Sequence, residues 1–458
     1  MKYSHVYPAS VHELPGAKIY MIDLGDRDAL VCEGKDYFPQ EMNELTHETA
    51  NRLRALFPFT APVPVLNYDR SVGVGDRLGL AGPGHIRVFE KYDAMPVFAQ
   101  QSIRELNLTN RTFEDVLDSA TFAVFRENFT RGFGADGDHL KKPEDIEYAL
   151  SLGFTMITLD LSEHIHANAD GEYSQDVREL YLGKTFRVED HEIEFTADEL
   201  KRVTGIYGDA LDFAVQMYDR FLRDGTYKAE FEISIDETGT PTRPSEHFFV
   251  ANELKRRGVV FMTIAPRFIG EFQKGIDYIG DVSAFDAEMD VHAAIARHFG
   301  HKVSVHSGSD KFSIFPSVGA RTHQRYHVKT AGTNWLEAMK LVAEHAPELY
   351  REVHAYALKA FDEATKYYHV TTNLANIPSL DTLSDAQLPA LFENNDARQL
   401  IHITYGLILN HGDFHARLYA FWRAHADEYA AALEKHIGRH LETLARRKDL
   451  LNRHHFKY

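Results

Sequence analysis

Short apolar runs alternate with amphipathic segments along most of this 458-residue chain, and that alternation limits the possible folds more than any other feature. The runs are almost continuously apolar, which is typical of parallel strands buried on both faces, and the segments between them have helical periodicity. Eight such units favour an α/β fold closed as a (β/α)8 TIM-type barrel over an open sheet. The predicted strands are the run before Gly132 and residues 95–98, 154–159, 229–235, 259–264, 302–305, 326–328 and 367–370; predicted helices between them include 144–152, 209–223, 245–257, 285–299 and 335–344.

The two ends of the chain depart from this pattern. Strand-like residues 18–22 and 29–32, with a helix-like segment at 41–56, predict a small N-terminal α/β cap over residues 1–70. Helical patterns at 397–409, 414–432 and 436–450 predict a C-terminal helical extension over residues 386–458 that packs on the barrel. Residues 71–385 are then the catalytic barrel domain. The glycines of residues 73–79 fit neither a dinucleotide fingerprint nor a P-loop, so they predict a tight turn before the barrel.

Charge and cysteine content argue against several classes of protein. Lys plus Arg total 50 against 68 Asp plus Glu, and the formal net charge of -18 argues against a nucleic-acid binder. The basic cluster at residues 446–448 is interpreted as a solvated helix end. A single cysteine, Cys32, allows no intrachain disulfide, and no apolar run approaches the roughly 20 residues that span a bilayer. We therefore expect a cytoplasmic protein without membrane partners; assembly as a homo-oligomer is left open.

Histidines and carboxylates follow several predicted strands, where the chemistry of a barrel enzyme collects. Asp138 and His139 follow the glycines at 132–137, and His306 and His327 lie in or just after two later apolar runs. Three imidazoles at strand ends predict a site for one divalent metal ion. Neutral imidazole suits zinc, manganese, nickel or cobalt better than calcium, and the sequence does not choose among these four. The alternative is three unrelated core histidines, each satisfied by its own hydrogen bonds.

Glu232 is a carboxylate inside an apolar strand. It lies between Phe231 and Ile233, so it faces the side of the strand opposite to those two residues. On the inner face of a barrel, a carboxylate must be paired, bound to metal, or have a raised pKa. A catalytic role and a structural ion pair with a barrel Lys or Arg therefore both stay open.

A set of short segments runs in one order from about residue 71 to residue 410. The segments are GDRLG at 75–79, FAQQS at 98–102, GFGADGDH at 132–139, KPED at 142–145, GFTM at 153–156, DET at 236–238, RFIGE at 267–271, KGIDY at 274–278, HSGSDKF at 306–312 and HVKTAGT at 327–333. Together they resemble the tagaturonate epimerase family, enzymes of hexuronate catabolism that interconvert D-tagaturonate and D-fructuronate.

The resemblance implies an isomerase that acts on a small sugar acid with one divalent metal ion in a barrel. Carried over by position, Asp138 resembles the proton acceptor and Glu232 the proton donor. His139, His306 and His327 resemble the metal ligands. The substrate carboxylate needs a cationic partner, for which Arg267, Lys311 and Lys329 are candidates. The full predicted set of substrate-binding residues is Gln100, Arg267, Asp310, Lys311 and Lys329.

The two ketouronates differ at carbon 4 of the ketose, which the carbonyl at carbon 2 does not acidify. We therefore expect a retro-aldol route, in which a base takes the proton of the carbon 4 hydroxyl and the bond between carbons 3 and 4 opens and re-forms on the other face. Hydride transfer is the alternative, but it normally uses a nicotinamide, and the chain has no fingerprint for one. Two other functions stay open: a class II-type metal-dependent sugar aldolase, and a barrel subunit that binds a sugar acid without turnover.

Overall fold

A closed barrel of eight parallel strands forms the body of the protein in the computed structural model, which describes residues 3, 5–167, 171–330 and 332–445. The barrel strands run β5–β6–β7–β8–β11–β12–β13–β14, and β14 pairs with β5 to close the ring. A four-stranded antiparallel sheet (β1–β4) precedes the barrel, and a β9–β10 hairpin is inserted between its fourth and fifth strands. The predicted TIM-type α/β fold is therefore confirmed.

The strands in the described part of the chain are two to eight residues long. They are β1 His12–Leu14, β2 Ala17–Asp23, β3 Asp28–Gly34, β4 Met42–Asn43, β5 Arg70–Val74, β6 Met95–Ser102, β7 Gly134–Leu140, β8 Met156–Asp160, β9 Lys184–Val188, β10 His191–Phe195, β11 Glu230–Ile235, β12 Thr263–Pro266, β13 Lys302–Val305 and β14 Tyr326–Thr330.

The α-helices of the described residues cover the barrel and form its C-terminal extension. They are α1 His47–Leu56, α2 Gly82–Phe89, α3 Ile103–Thr109, α4 Phe113–Glu127, α5 Pro143–Ser151, α6 Gln175–Tyr181, α7 Ala197–Phe221, α8 Pro244–Arg256, α9 Val282–Phe299, α10 Phe315–Arg321, α11 Thr333–His345, α12 Pro347–Ala364, α13 Asn395–Ile403, α14 Tyr405–Leu409, α15 Phe414–Ala424 and α16 Ala426–Leu444. Short 3₁₀ helices occupy Pro8–Ser10, Pro58–Thr60, Ser162–His164, Leu374–Asn376, Leu380–Thr382 and Asp385–Glu393. Among the described helices, none has the length and apolarity that crossing a membrane requires.

Two of the eight predicted barrel strands are wrong. The run before Gly132 belongs to α4, and Asn128 caps this helix in a left-handed conformation. The barrel strand β7 begins after Gly132, at Gly134. Residues 367–370 form a loop, because their apolar side chains contribute to the cavity wall and to the helical layer instead of a ladder. The predicted strand at 259–264 is also shifted to Thr263–Pro266, since Val260 is exposed to solvent.

The missing first strand is β5, where the glycines predict a turn. Gly73 lies inside this strand, and a Cβ atom there would come within 1.7 Å of Gln100 Oε1. The glycine therefore makes room for a polar side chain inside the barrel, which is one reason for glycine within a strand. A short strand that contains a glycine has a weak hydrophobic signal, and this explains why the pattern alone misses it.

Separate apolar cores hold the two ends of the chain against the barrel. The predicted strand pair near the N-terminus is β2 and β3, which pair antiparallel and pack with α1 and α4. The C-terminal helices share a core built around Trp335 and Trp422. The predicted helices 397–409 and 414–432 are each interrupted, at Thr404 and at His425. The predicted helix at 436–450 is the end of α16; residues 446–450 and the basic cluster at 446–448 lie outside the described residues. The division into three domains stays a prediction.

Candidate active site and metal centre

The carboxyl ends of the barrel strands open into a cavity of about 350 Å³. This is the face at which barrel enzymes carry their chemistry. The wall combines carboxylates, imidazoles and cationic side chains from β6, β7, β14 and α3 and from the loops after β11, β12 and β13. Its polar lining residues include Gln100, Arg104, Glu105, Asp138, His139, Asp236, Glu237, Arg267, Gln273, Lys274, His306, Ser307 and Lys329.

The end of β7 turns two consecutive side chains toward the site. Along a strand, side chains alternate, so Asp136 and Asp138 share the inner face and His139 would point away. His139 instead has a left-handed backbone with φ of 53°, and the pairing of β7 with β8 shifts register between Gly137 and Leu140. This irregularity brings the imidazole of His139 into the cavity beside Asp138, as β-bulges next to active sites commonly do.

His139, His306 and Asp236 form a cluster with one potential ligand atom each, and these atoms lie within 4.8 Å of one another. Each imidazole has one nitrogen bonded to a carboxylate: His139 Nδ1 lies 2.8 Å from Asp138 Oδ1, and His306 Nε2 lies 2.7 Å from Glu232 Oε1. The other nitrogens face Asp236, with His306 Nδ1 at 3.2 Å and His139 Nε2 at 4.0 Å. Carboxylates that orient imidazoles in this way are the usual second layer of a protein metal site.

The charge balance of this cluster also fits a cation. Burial disfavours the charged imidazole of His306, but Asp236 and Glu232 outweigh it and raise the pKa of His306 to about 10. Burial likewise opposes the charged form of Asp236, yet His306 and His139 hold its pKa well below the usual range. The acidic side chains thus attract positive charge to the point where the three ligand atoms meet. Two imidazole nitrogens and one carboxylate oxygen suit a first-row divalent metal ion.

Lys329 connects three carboxylates beneath the cluster. Its ammonium lies 2.6 Å from Asp138, 2.7 Å from Asp136 and 2.9 Å from Glu232, and it also donates to the Thr158 hydroxyl. The side chain is almost fully buried, at 4% exposure. Such a compact group of opposite charges is what a desolvated lysine requires.

The three carboxylates around Lys329 differ in pKa. Burial raises the pKa of Asp136 to about 6, because Lys329 compensates only part of the desolvation. Burial acts the same way on Asp138, but Lys329 and His139 outweigh it and hold the pKa well below the usual range. For Glu232, Lys329 and His306 overcome burial with the same result. Asp138 and Glu232 are therefore both carboxylates at neutral pH.

The predicted metal ligand His327 lies apart from the other two histidines. Its Nδ1 atom is 2.9 Å from Ser71 Oγ inside the barrel, and burial lowers its pKa to about 3. His327 shares no cluster of ligand atoms with His139 and His306 among the described residues; Asp236 takes the third place there.

The predicted substrate-binding residues separate into two groups. Gln100, Arg267 and Lys329 line the cavity. Asp310 and Lys311 lie behind the cavity wall. The Lys311 ammonium donates to the main-chain carbonyls of residues 273, 276 and 309 at 2.6 to 2.9 Å, and Asp310 accepts a 2.7 Å hydrogen bond from Arg398.

Several cavity residues lie outside the predicted set, and Asp236 and Lys274 bear most directly on the site. Asp236 belongs to the DET segment, and the inward alternation of Glu232, Ser234 and Asp236 is the signal that identifies it. Lys274 lies on the loop after β12, where no periodicity reports the direction of a side chain. Its ammonium donates a 3.1 Å hydrogen bond to Ser307, the neighbour of His306.

Known proteins match this chain over nearly its whole length. The characteristic sequence pattern of the tagaturonate epimerase family matches residues 26–444. The chain belongs to the tagaturonate epimerase family. The tagaturonate/fructuronate epimerase of Thermotoga maritima is 43% identical over 426 residues, which are 90% of this chain and 88% of that protein. Native and glycerol-bound crystal structures of a fructuronate–tagaturonate epimerase from Cohnella laeviribosi share 48% identity and a TM-score of 0.93, with 96% of each chain covered.

Membership in this family confirms the resemblance derived from the short segments. The relatives are epimerases by name, so the predicted enzyme class, an isomerase of the epimerase type, is confirmed as well. The barrel with its C-terminal helices is the fold of the Cohnella structures, as the high TM-score shows. The individual roles of the site residues are a separate matter, and they rest on the geometry described above.

Proposed function

We propose that this protein interconverts D-tagaturonate and D-fructuronate with a divalent metal ion held by His139, Asp236 and His306. The observation that carries the proposal is the pair of imidazoles that Asp138 and Glu232 orient toward Asp236 at the mouth of the barrel. The names of the Thermotoga and Cohnella relatives support the substrates. The reaction assigns the protein to hexuronate catabolism.

A divalent ion bound by these three side chains would act as a Lewis acid toward the carbonyl and hydroxyl oxygens of the substrate. The chain's own residues supply the proton transfers. Asp138 is ionised and lines the cavity, so one of its carboxylate oxygens takes the proton of the carbon 4 hydroxyl. The bond between carbons 3 and 4 then breaks, its electron pair moves toward carbon 3, and carbon 4 becomes an aldehyde carbon. After the aldehyde turns, the bond re-forms on its other face and the proton returns to the oxygen.

Glu232 takes a supporting role in this proposal, in place of the direct proton donor that the resemblance implies. Its carboxylate is fully buried and accepts hydrogen bonds from His306, Thr158 and Thr263 as well as Lys329. It therefore orients His306 and holds Lys329. The Lys329 ammonium lines the cavity and contacts Asp138, so it donates a proton to the substrate oxygen when the bond re-forms and takes the proton that Asp138 holds in exchange.

Turnover of D-tagaturonate tests this function. Purified protein is incubated with the ketouronate as isolated, after EDTA, and after EDTA followed by each of Zn²⁺, Mn²⁺, Ni²⁺ and Co²⁺, and D-fructuronate is quantified by chromatography. We expect product that disappears with the chelator and returns with at least one metal ion. Absence of D-fructuronate under every metal would contradict the proposal.

An Asp138→Asn variant tests the proposed base. We expect kcat to fall at least about 100-fold, because loss of a general base commonly has this effect. Asp381→Asn, a change at an exposed 3₁₀-helical position, is the matched control and keeps full activity. Full activity in a folded Asp138→Asn protein would refute the assignment.

Three measurements distinguish the reaction routes. Trapping of the aldehyde fragment supports the retro-aldol route, and a deuterium isotope effect at carbon 4 supports hydride transfer. Steady release of free aldehyde would indicate an aldolase.

A further inference from the structure

We infer that Lys274 binds the carboxylate of the substrate and thereby gives the site its preference for a sugar acid over a neutral ketohexose. The inference rests on the proposed function, because it concerns the same cavity. Lys274 lines that cavity, and its Nζ atom hydrogen bonds to Ser307, which directly follows the proposed metal ligand His306. A substrate held near His306 therefore lies within reach of this ammonium.

Lys274 is a partly buried cation without a counter-ion. Among the described residues, no carboxylate oxygen forms an ion pair with its Nζ atom; the Ser307 hydroxyl at 3.1 Å is its acceptor. The carboxylate of Glu105, which also lines the cavity, is 2.9 Å from the guanidinium of Arg77. Burial lowers the pKa of Lys274, because the charge of its ammonium is only partly compensated. An anion that enters the cavity would supply the missing compensation.

The other lysine and arginine side chains of the cavity either already have partners or are held less firmly than Lys274. Lys329 is surrounded by three carboxylates. Arg104 donates to the Tyr367 carbonyl at 2.8 Å and lies over the Tyr368 ring. Arg267 forms no side-chain hydrogen bond or ion pair with the described residues, and it is therefore the competing candidate.

The segment that carries Lys274 is held rigidly from behind. Each carbonyl from residue 273 to 276 accepts a hydrogen bond from a side chain: Lys311 binds carbonyls 273 and 276, Gln399 binds carbonyl 274 at 3.2 Å, and Arg398 binds carbonyl 275 at 2.7 Å. Gly275 has a left-handed φ of 79°, and a Cβ atom there would crowd His402. These contacts hold the main chain on the side away from the cavity and fix the position of Lys274. The Lys274 ammonium is also held by Ser307, whereas the Arg267 side chain has no hydrogen bond or ion pair with the described residues. A side chain that is already positioned loses less conformational entropy when it binds a carboxylate.

The test compares an acid with a neutral molecule of the same skeleton. Borohydride reduction of D-tagaturonate gives two epimeric six-carbon aldonic acids, and the same treatment of D-tagatose gives the two corresponding neutral hexitols, from which the matching epimers are purified. None of these products can turn over, because the carbonyl is gone. Isothermal titration of the metal-loaded protein measures both affinities. We expect the wild-type protein to bind the acid at least tenfold more tightly than the hexitol, and Lys274→Met to bind the two within about threefold of each other.

Activity gives a second readout. We expect kcat/KM for D-tagaturonate to fall about 100-fold in Lys274→Met, mostly through KM, and to recover in part in Lys274→Arg. Conversion of neutral D-tagatose to D-fructose, where measurable in the wild type, should change less than threefold. Lys366→Met, on an exposed lysine paired with Glu363, is the matched control. Circular dichroism and metal content show that each variant is folded and loaded.

The outcomes separate this inference from the proposed function. If the wild type fails to turn over D-tagaturonate yet prefers the acid in titration and loses that preference in Lys274→Met, the proposed reaction is wrong and the anion site stands. If Lys274→Met retains the acid preference, the inference is overturned, and loss of the preference in Arg267→Met would then assign the carboxylate to that residue. A wild type that does not prefer the acid overturns the inference as well.

Discussion

At the scale of single residues, the hydrogen-bonded partner of each histidine decides what the ring can do. His139 and His306 each bond to a carboxylate through one nitrogen and present the other toward Asp236. His327 uses its Nδ1 atom for Ser71 inside the barrel, where burial keeps it neutral. Of three histidines that look equivalent in the sequence, two therefore share a cluster with Asp236, and the role of His327 as a ligand stays a prediction.

Metal content distinguishes these roles. We expect His306→Ala and Asp236→Asn to lose most of the bound metal, because each removes one of three clustered ligand atoms. His327→Gln should retain a full equivalent. Metal per chain is measured by inductively coupled plasma mass spectrometry after gel filtration, with His415→Asn, an exposed histidine on α15, as the control. Loss of metal in His327→Gln with retention in Asp236→Asn would restore the three-histidine site.

At the scale of elements, the loops after β12 and β13 act as one unit behind the cavity. Lys311 follows β13 and bonds to carbonyls of the loop after β12, while Asp310 pairs with Arg398 of α13 and lies 3.1 Å from His436 of α16. Asp310 and Lys311 therefore support the cavity wall from behind and are not among its lining residues. The C-terminal helices take part in the same arrangement, because Arg398 and Gln399 hold the Lys274 segment.

Removal of the Lys311 ammonium tests this coupling. Lys311→Met leaves the buried carbonyls of residues 273 and 276 without this donor, and at 1–3 kcal/mol for each such group we expect the free energy of unfolding to fall by about 2 kcal/mol or more. We also expect KM for the uronate to rise, since Lys274 loses its fixed position, while metal content stays the same. Lys359→Met, an exposed lysine on α12, is the control. Unchanged stability and KM would contradict the positioning role.

At the scale of the whole molecule, a second set of histidines limits stability in acid. His247 of α8 hydrogen bonds at 2.9 Å to both His292 of α9 and His301, which precedes β13. Burial lowers the pKa of His292 to about 4 and that of His301 to about 3. The folded protein therefore keeps these rings neutral at pH values where an unfolded chain protonates them.

This cluster predicts the pH dependence of unfolding. Below pH 6.5 the unfolded chain binds protons that the folded chain excludes, so stability falls as pH falls from about 6.5 toward 4, by about 1.4 kcal/mol per pH unit for each such histidine. A His292→Gln variant should show a shallower slope over this range, whatever its stability at pH 8. Urea unfolding followed by fluorescence from pH 4.5 to 8 measures both slopes, with His415→Asn as the control. Equal slopes in His292→Gln and the wild type would refute the role of the cluster.

The fold was predictable where the signal is local. Six of the barrel strands have apolar runs at or beside their positions, and α5, α8, α9 and α11 lie within a few residues of the predicted helices. The prediction failed at β5, at the run before Gly132 and at residues 367–370. β5 has glycine at an inner position that another side chain fills, the run before Gly132 belongs to α4, and the described structure pairs residues 367–370 with no strand.

The sequence by itself determined the class of fold, the family, and the position of Asp138 and His139 at the mouth of the barrel, because periodicity and short motifs are properties of neighbouring residues. Only the tertiary structure decided which inward residues meet. Strand alternation indicates the face that a side chain occupies, but its depth depends on register and strand stagger around the barrel. That is why the ligand atoms that cluster with those of His139 and His306 include one of Asp236 and none of His327 among the described residues. Loop paths depend on distant donors in the same way, and this places Lys274 in the cavity and Lys311 behind it.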